Sequence, residues 1–337
     1  MRIGGLQQAG LSWHEWRVER RVTNPVRETA AVARLARLYG RQGFTAVHHF
    51  TIKPVLYGSL AASVAGVPTT INTFSGLGFL FSADPRAAVL RVIVLPMLRR
   101  MLRRASAHTI FQNAADRDHF LVSGLVAADR ALLIPGSGVD TRRYAPADRR
   151  VVDASPVVLM AARLLWDKGV GEFIEAARLL RTQGVRARFW LAGRVDGGNP
   201  ACVPEETVEA WRREAVVELL GHREDMPVLL RQAAVAVLPS YREGVPRVLL
   251  EAAATGLPLV ATDIDGCRMV VKPGHNGLLV PAKDPRALAD AIGLLIRDAG
   301  LRARIGQASR QVAVEEFDEA QILDQHEAVY RRLGIIT

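Results

Sequence analysis

The sequence predicts an α/β protein whose C-terminal half contains a doubly wound parallel sheet. In that half, short apolar runs such as RARFWLAG, VAVLPS and PLVATD alternate with loops and with stretches of helical periodicity, as expected of strands that alternate with helices. The chain has 337 residues, of which 49% are hydrophobic, enough for two domains with separate cores. We therefore expect one domain over residues 1–150, a second over 151–315 and a final amphipathic helix over 316–337.

One polar cluster of the N-terminal half directly follows a predicted strand. The run FTAVHHF ends near His48 and His49, and Thr51 and Lys53 come next. At the carboxyl end of a strand in an α/β sheet, such side chains commonly contact a ligand. We interpret His49 and Lys53 as ligand contacts, while a place in the core or in a hydrogen-bonded turn is an equally good interpretation.

Positive charge is concentrated in the N-terminal half. Residues 1–150 contain 21 Lys and Arg against 9 Asp and Glu, and the whole chain has a formal net charge of +10. Many of these arginines alternate with apolar residues in RAAVLRVIVLPMLRRMLRRASAH, a pattern expected of a helix that lies on anionic lipid. Pro96 would break or kink such a helix, so the alternative is two packed helices with a solvated basic face. A nucleic-acid partner is not expected, because the segment has few aromatic residues and matches no nucleic-acid motif.

The apolar runs and the cysteines bear on where the protein works. The longest apolar candidate, AAVLRVIVLPML, is interrupted by Arg91 and Pro96 and is too short to span a bilayer. Cys202 and Cys267 are the only cysteines, too few for a disulfide framework. The first residues match no signal-peptide pattern. We expect a cytoplasmic protein that associates peripherally with the inner face of the membrane.

Two cations follow the first apolar run of the C-terminal half. In PVVLMAARLLWDKGVGEFIEAARLL, a strand pattern leads into a short loop with Arg163 and Lys168 and then into a helix pattern. Ligands bind at the carboxyl ends of strands in open α/β sheets, and Arg and Lys there commonly contact phosphate oxygens. A solvated basic loop is the alternative. Gly193 ends another strand in WLAGR, where the missing Cβ either lets the backbone approach a ligand or only permits a turn.

Glu243 and Glu251 flank the predicted start of one helix. The segment SYREGVPRVLLE places Pro246 in the first turn of that helix, whose free N–H groups would suit an anion. Glu251 lies about two turns along the helix, so the two carboxylates could bind hydroxyl groups at different ends of a ligand whose phosphate lies between them. This arrangement fits a sugar nucleotide. The alternative is a surface helix with a favourable acid near its N-terminus and a solvated Glu further along.

Together these segments resemble family 4 of the retaining glycosyltransferases, which have the GT-B fold. The similarity rests on RLLWDKG, LAG, the Glu-x7-Glu segment SYREGVPRVLLEAAATGLPLVATD and PGHNGLLV, and it extends over nearly the whole chain. VHHFTIKPVLYG, NTFSGLGFLF, FQNAADRDHF and PGSGVD are similar to a bacterial subgroup that builds capsule, O-antigen and protein-linked oligosaccharides. The resemblance implies two Rossmann-like domains that face a cleft, and a final helix that returns to the N-terminal domain.

The resemblance also implies a role for each candidate residue. Arg163 and Lys168 would neutralise the departing diphosphate, Glu243 would bind hydroxyls of the transferred sugar, and these three would be catalytic. Glu251 would bind the ribose. The other donor contacts that it implies are Gly193, His222, Arg223, Gly244, Val245 and Arg247. Those on the acceptor or diphosphate side are His49, Lys53, Ser75 and Gly76.

No metal is implied by the resemblance. Asp263 and Asp265 match a short acid-x-acid pattern with which a different fold holds a divalent ion. A pattern of three residues is common by chance, so we expect no metal site there.

The implied reaction transfers a sugar from a nucleotide-sugar donor, UDP-linked, to a saccharide carried on polyprenyl diphosphate, with retained configuration at the anomeric carbon. A complete family member has a strand, a glycine-containing loop, a helix and a further strand before the NPVRE segment, which this chain reaches almost at once. We therefore expect an incomplete N-terminal domain. The alternative to an enzyme is a binding module that holds a sugar nucleotide without completing acceptor recognition.

Overall fold

The computed structural model describes residues 8, 10–18, 25–76, 79–81, 85–147 and 155–337. Contacts divide the chain into two compact units. The first consists of Met1–Ile110 and His119–Leu132, and the second of Phe111–Asp118 and Leu133–Thr337. Residues 133–147 thus belong to the second unit, whereas we expected the boundary between the domains near residue 150. Residues 148–154 of the predicted linker lie outside the described residues.

Hydrogen bonds explain why the segment before residue 148 belongs to the second unit. The backbone N–H of Val139 donates to the carbonyl of Phe317 at 2.8 Å, and the N–H of Glu319 donates to the carbonyl of Val139 at 3.0 Å. The hydroxyl of Thr141 donates to the carboxylate of Asp318. The segment is therefore attached to the C-terminal end of the same unit.

The chain up to residue 133 contains a four-stranded sheet with the order β1-β2-β3-β4. Strands β1 and β2 are parallel, with Ala46 opposite Thr69. The strands are β1 (Ala46–Phe50), β2 (Thr69–Phe74), β3 (Ala107–Phe111) and β4 (Ala131–Leu133). The helices are α1 (Pro25–Gln42), α2 (Ile52–Ala65), α3 (Pro85–Leu102) and α4 (Ala114–Val122).

The basic segment forms one helix, α3, which contains Pro96. The alternative of two helices broken at Pro96 is therefore wrong. Pro96 cannot donate a hydrogen bond to the carbonyl of Val92, but both residues are exposed, so water can satisfy that carbonyl. Within the described ranges, no helix combines the length and the apolar character needed to cross a membrane.

The second unit contains a six-stranded sheet with the order β10-β9-β8-β5-β6-β7, in which every neighbouring pair is parallel. The strands are β5 (Val157–Ala161), β6 (Arg188–Ala192), β7 (Glu218–Gly221), β8 (Val235–Leu238), β9 (Leu259–Thr262) and β10 (Gly277–Val280). The helices are α5 (Val170–Thr182), α6 (Glu205–Glu214), α7 (Met226–Gln232), α8 (Arg247–Ala254), α9 (Asp265–Arg268), α10 (Pro285–Arg297), α11 (Ala299–Glu316) and α12 (Glu319–Arg332). The predicted α/β class with two parallel-sheet domains is confirmed.

Each face of the six-stranded sheet has its own apolar core. Side chains alternate between the faces of a strand, so Val157 and Leu159 of β5 belong to one buried cluster and Val158 and Met160 to the other. A strand buried on both faces appears in the sequence as a continuous apolar run. This is why β5 was visible in the sequence.

The order of the strands places a switch point between β5 and β8. The chain adds β6 and β7 on one side of β5, then returns so that β8, β9 and β10 lie on the other side. The connections that leave β5 and β8 therefore diverge at the carboxyl edge of the sheet. In open α/β sheets, ligands bind in the crevice at such a point.

Two predictions about the ends of the chain stay predictions. Helix α12 begins at Glu319, close to the expected position, and Asp318 caps it by accepting a hydrogen bond from the N–H of Ala320 at 3.0 Å. The return of this helix to the N-terminal domain is not tested. The same holds for the expected incompleteness of the N-terminal domain.

Two glycines allow loops at the carboxyl edge of the second sheet to pack closely. Gly169 has φ +72°, and a Cβ there would lie 2.1 Å from the carbonyl oxygen of Pro239. A Cβ on Gly193 would lie 1.8 Å from the carbonyl oxygen of Ala162. Contact between two loops thus explains Gly193 without a ligand, and its role as a donor contact stays a prediction.

We predict that Gly193→Ala lowers the free energy of unfolding by roughly 2–4 kcal/mol, because backbone must move to admit the methyl group. Gly197→Ala is the matched control, since nothing lies within 4 Å of a Cβ there. Urea unfolding followed by circular dichroism measures both. Equal stability of the two variants would contradict the packing explanation.

Candidate active site

An ion pair joins the loops on the two sides of the switch point. Lys168 ends the short turn Trp166–Lys168 after β5, and Glu243 lies in the loop between β8 and α8. The Nζ of Lys168 donates to Oε1 of Glu243 at 2.6 Å, and the side chains are 18% and 15% exposed. A carboxylate has about four lone-pair sites, so Glu243 keeps the capacity to accept hydrogen bonds from a ligand. The sequence predicted the two residues separately, and the structure brings them together.

Backbone contacts hold the same two loops in place. The N–H of Tyr241 donates to the carbonyl of Asp167 at 2.9 Å, and the hydroxyl of Ser240 donates to the same oxygen at 3.2 Å. The hydroxyl of Tyr241 donates to Glu172 at the start of α5 at 2.5 Å. Lys168 and Glu243 are therefore positioned by supporting contacts of their loops as well as by each other.

The N-terminus of α8 adjoins Glu243. We expected Pro246 in the first turn of this helix, but it occupies the N-cap position, and the helix begins at Arg247. The first turn contains no acidic residue. Among the described residues, the N–H groups of Gly244, Val245 and Arg247 have no hydrogen-bond acceptor. Free N–H groups at a helix N-terminus favour an anion. A phosphate group would therefore fit beside Glu243.

Glu251 lies in the second turn of α8 and is only 9% exposed. The Nε of Arg247 donates to Oε1 of Glu251 at 3.1 Å, and Tyr144 also forms a hydrogen bond with the carboxyl group. Burial raises the pKa of Glu251, while the hydrogen bond with Tyr144 and the charge of Arg247 act in the opposite direction. The alternative of an ordinary solvated Glu is therefore wrong for Glu251.

Tyr144 is a residue of this site that sequence reasoning missed. It is 5% exposed, and it lies on the segment between β4 and β5. Burial raises the pKa of Tyr144 to about 12, so its hydroxyl is protonated at neutral pH and donates to Glu251. No spacing rule pairs residues this far apart in the sequence, and Tyr144 lies beyond the end of the PGSGVD motif.

Arg163 is held by a carboxylate that the sequence did not single out. Its Nη1 donates to Oδ2 of Asp196 at 2.6 Å, and its side chain is 49% exposed. Such an exposed pair contributes little to stability, but it orients the guanidinium after β5. A phosphate could replace Asp196 as its partner, because Arg pairs well with either group.

His222 and Arg223 lie in the exposed loop after β7. Arg223 donates to both carboxyl oxygens of Asp225, at 2.8 and 2.6 Å, and this hydrogen bonding lowers the pKa of Asp225. A local ion pair thus accounts for Arg223. Contact of either residue with a nucleotide base stays a prediction.

The acid-x-acid pattern forms ion pairs with one arginine. Arg268 Nε lies 2.6 Å from Asp263 Oδ1, and Arg268 Nη1 lies 3.4 Å from Asp265 Oδ1. In the part of the chain that the structure describes, no group of three or more His, Cys, Asp or Glu could hold a metal ion.

His49, predicted for the acceptor or diphosphate side, lies in the first unit. It is 5% exposed, with Nδ1 3.0 Å from Oδ1 of Asn72 and Nε2 3.1 Å from the hydroxyl of Tyr39. Burial lowers the pKa of His49, which favours the neutral ring. Because both ring nitrogens are engaged, the structure favours the core interpretation of His49 over direct ligand contact.

The other three residues of that group are more accessible. Lys53 lies in the first turn of α2, donates to Glu28 at 2.9 Å, and lies 5.4 Å from the ring centroid of Tyr57. Ser75 and Gly76 directly follow β2, where Ser75 is exposed and Gly76 has φ 111°. Their contacts with a ligand stay predictions.

We predict that Glu251→Gln stabilises the protein at neutral pH. Burial raises the pKa of Glu251 in the folded chain, so the folded chain binds a proton there more tightly than the unfolded chain. The charged carboxylate therefore destabilises the fold above the raised pKa, and this cost disappears as the pH falls below it. A melting midpoint higher by roughly 2 °C at pH about 7.5, with a gap that narrows toward pH about 4, is the expected result.

Differential scanning calorimetry across this pH range measures the gap. Glu224→Gln is the control, since Glu224 is exposed in a nearby loop. A lower midpoint for Glu251→Gln at every pH would mean that the charge of Glu251 stabilises the fold, against our account.

Comparisons with known protein families match both halves of the chain. Residues 155–298 match the family described as Glycosyl transferases group 1. Residues 2–113 match the family described as Glycosyl transferase 4-like. The first match includes the strands on both sides of the switch point, from β5 to β10.

Several curated relatives are named as glycosyltransferases. The chain is 29% identical over 288 residues to the N,N'-diacetylbacillosaminyl-diphospho-undecaprenol alpha-1,3-N-acetylgalactosaminyltransferase of Campylobacter jejuni, a match of 82% of this chain and 74% of the relative. It is 26% identical over 316 residues to the UDP-Gal:alpha-D-GlcNAc-diphosphoundecaprenol alpha-1,3-galactosyltransferase of Escherichia coli. This match covers 90% of this chain and 80% of the relative.

The fold also matches solved structures. The Anabaena protein Alr3699/HepE in complex with UDP and glucose superposes with a TM-score of 0.78 at 21% identity, covering 97% of this chain and 88% of that one. This likeness supports the GT-B fold alone. With the family matches and the curated relatives, it identifies the chain as a member of the family 4 glycosyltransferases with the GT-B fold.

Proposed function

We propose that this glycosyltransferase moves a sugar from a UDP-linked donor to a saccharide carried on polyprenyl diphosphate, with retained configuration, in the assembly of cell-surface glycans. The names of the Campylobacter and Escherichia relatives both describe transfer to undecaprenyl-diphosphate-linked sugars, and the latter names a UDP-linked donor. The chemistry of the candidate site supports the same reaction class.

The observation that carries the proposal is the pairing of Lys168 with Glu243 across the switch point, beside the N-terminus of α8. A nucleotide diphosphate needs cations and N–H donors, and a sugar needs carboxylate acceptors for its hydroxyls. Both kinds of group lie here in two loops that the ion pair joins. A purely structural ion pair would not require free N–H groups next to it.

The roles of the residues follow from their positions. Lys168 and Arg163 stabilise the negative charge that develops on the diphosphate as the sugar departs, and the N–H groups of Gly244 and Val245 support the same charge. Glu243 accepts hydrogen bonds from the transferred sugar. The acceptor oxygen attacks the anomeric carbon from the face that the diphosphate leaves, which retains the configuration.

Glu251 and Tyr144 bind the nucleoside end of the donor in this proposal. The buried carboxylate accepts hydrogen bonds from the ribose hydroxyls, and Tyr144 holds it in position. Ribose hydroxyls would reduce the cost of burying that charge, because they add hydrogen bonds to the charged form. Donor binding is thus favoured by a group that destabilises the free protein.

The proposed acceptor also bears on where the protein works. A polyprenyl chain remains in the bilayer, so the enzyme meets its acceptor at the cytoplasmic face of the membrane as a peripheral protein. Lys53, Ser75 and Gly76 are proposed to contact the acceptor or its diphosphate. Lys53 would exchange Glu28 for a phosphate oxygen.

Calorimetric titration of UDP tests the donor site. We expect the wild-type chain to bind UDP and the double variant Arg163→Ala/Lys168→Ala to lose at least about 2 kcal/mol of binding free energy, since two charge-assisted contacts disappear. Arg188→Ala/Lys272→Ala is the matched control, because it removes an Arg and a Lys that form ion pairs elsewhere in the same unit. Equal UDP affinity of both double variants would contradict the assignment.

The transfer itself is tested with UDP-sugars and a short-chain polyprenyl-diphosphate saccharide. Chromatography follows the product, and the anomeric proton coupling in its NMR spectrum gives the configuration. Retention is the expected outcome. UDP binding without product from any donor would favour the binding module, and an inverted product would overturn the mechanism.

A further inference from the structure

Helix α3 has one face in the core of the first unit and another in solvent. Its buried side chains are Ala87, Leu98, Met101 and Leu102. Arg91 also belongs to this face, since its Nη1 donates to the carbonyl of Leu80 at 2.9 Å. The core contacts of α3 are thus made by residues that share one side of the helix.

The opposite side of α3 exposes a stripe of apolar residues that we call the docking face. Val89, Val92, Ile93 and Met97 are 70%, 76%, 63% and 39% exposed, and Pro96 between them is exposed as well. At about 100° per residue, all five lie within an arc of roughly 140°. Single exposed apolar residues are ordinary on a protein surface, but a contiguous stripe marks an interaction site.

A basic cluster adjoins the C-terminal end of the docking face. It consists of Arg99, Arg100, Arg103 and Arg104, all exposed. Among the described residues none of the four forms an ion pair, and α3 contains no Asp or Glu. Positive charge is therefore left uncompensated where the apolar stripe ends.

Two further apolar side chains lie near this cluster. The Nη1 of Arg104 donates to the hydroxyl of Ser63 at 2.6 Å, and Val64, the next residue, is 73% exposed. The Nη1 of Arg103 donates to the carbonyl of Gly124 at 3.2 Å, and Val122 is 91% exposed. Exposed valines at the ends of α2 and α4 thus accompany the arginines.

We propose that the docking face and the basic cluster form a membrane-docking surface for an anionic bilayer. Val92 and Ile93 enter the acyl boundary, α3 lies in the plane of the interface, and the arginines bind lipid phosphates. This combination of an apolar stripe with uncompensated arginines is what an interfacial helix requires. Arginine also suits phosphate better than lysine does, because its fork can donate two hydrogen bonds.

A second copy of the chain fits this surface less well. A symmetric dimer through α3 would either bring two basic clusters together or bury one cluster against the apolar stripe of the other copy. Neither arrangement supplies negative charge. A bilayer of anionic lipid supplies phosphates and acyl chains at once.

The docking surface also orients the proposed acceptor side, and this part of the inference rests on the proposed function. The loop that contains Ser75 and Gly76 connects β2 with α3. If α3 lies on the bilayer, Ser75 and Gly76 come at most ten residues before a helix at the membrane surface, where a polyprenyl diphosphate presents its phosphates. The lipid-linked saccharide would then not have to leave the interface to reach the enzyme.

Co-sedimentation with vesicles tests the surface. The full chain is mixed with phosphatidylcholine vesicles that contain roughly one-third phosphatidylglycerol, and with pure phosphatidylcholine vesicles. We expect binding to the anionic vesicles that weakens as salt is added, and at least about tenfold weaker binding for Val92→Asp/Ile93→Asp and for Arg99→Gln/Arg100→Gln. Leu294→Asp on α10 is the matched control, since Leu294 is 47% exposed in the other unit, and it should bind like the wild type.

UDP titration of the same variants separates this inference from the proposed function. Each variant should keep the wild-type affinity for UDP, which shows that the second unit is intact, and the wild-type circular dichroism spectrum, which shows that the first unit is folded. Wild-type protein that binds UDP but stays in the supernatant would overturn the docking proposal and leave the donor site in place. Unchanged vesicle binding by Val92→Asp/Ile93→Asp would also overturn the docking proposal. A wild-type dimer in light scattering that becomes a monomer in this variant would overturn it as well.

Discussion

The candidate site of the second unit depends on the ion pair between Lys168 and Glu243, which joins the loops on the two sides of the switch point between β5 and β8. Both side chains are largely buried, so removing one partner would leave the other charge without compensation. The loops around them are already held by Tyr241 and by the close approach of Gly169 to the carbonyl oxygen of Pro239. The site that we propose for the donor is therefore a preformed arrangement of a cation, a carboxylate and free N–H groups.

Several charged groups of the site are paired with one another in the free protein. Arg163 pairs with Asp196, Lys168 with Glu243, and Glu251 with Arg247 and Tyr144. A donor that supplies a diphosphate and hydroxyls would exchange these partners or add to them. Burial of the Glu251 carboxylate lowers the free energy of unfolding of the free protein. Such a loss is common where a protein keeps charged groups in place for function.

The sequence was sufficient for strands β5 and β8 and for the charged residues in the loops that follow them. β5 and β8 are buried on both faces, so they appear as apolar runs, and Lys168 and Glu243 follow those runs directly. Contacts between distant segments left no local trace. Tyr144 and Asp196 were missed for that reason, and the burial of His49 depends on Asn72 and Tyr39 of neighbouring elements. Pro96 does not break α3, because the hydrogen bond that it cannot form lies on the exposed side of the helix.

A crystal structure of this chain with bound UDP tests the central claim most directly. The account predicts that the diphosphate contacts Lys168 Nζ and the N–H groups of Gly244 and Val245, and that the ribose hydroxyls contact Glu251. A diphosphate bound away from the loop between β8 and α8, with Lys168 and Glu243 untouched, would contradict it.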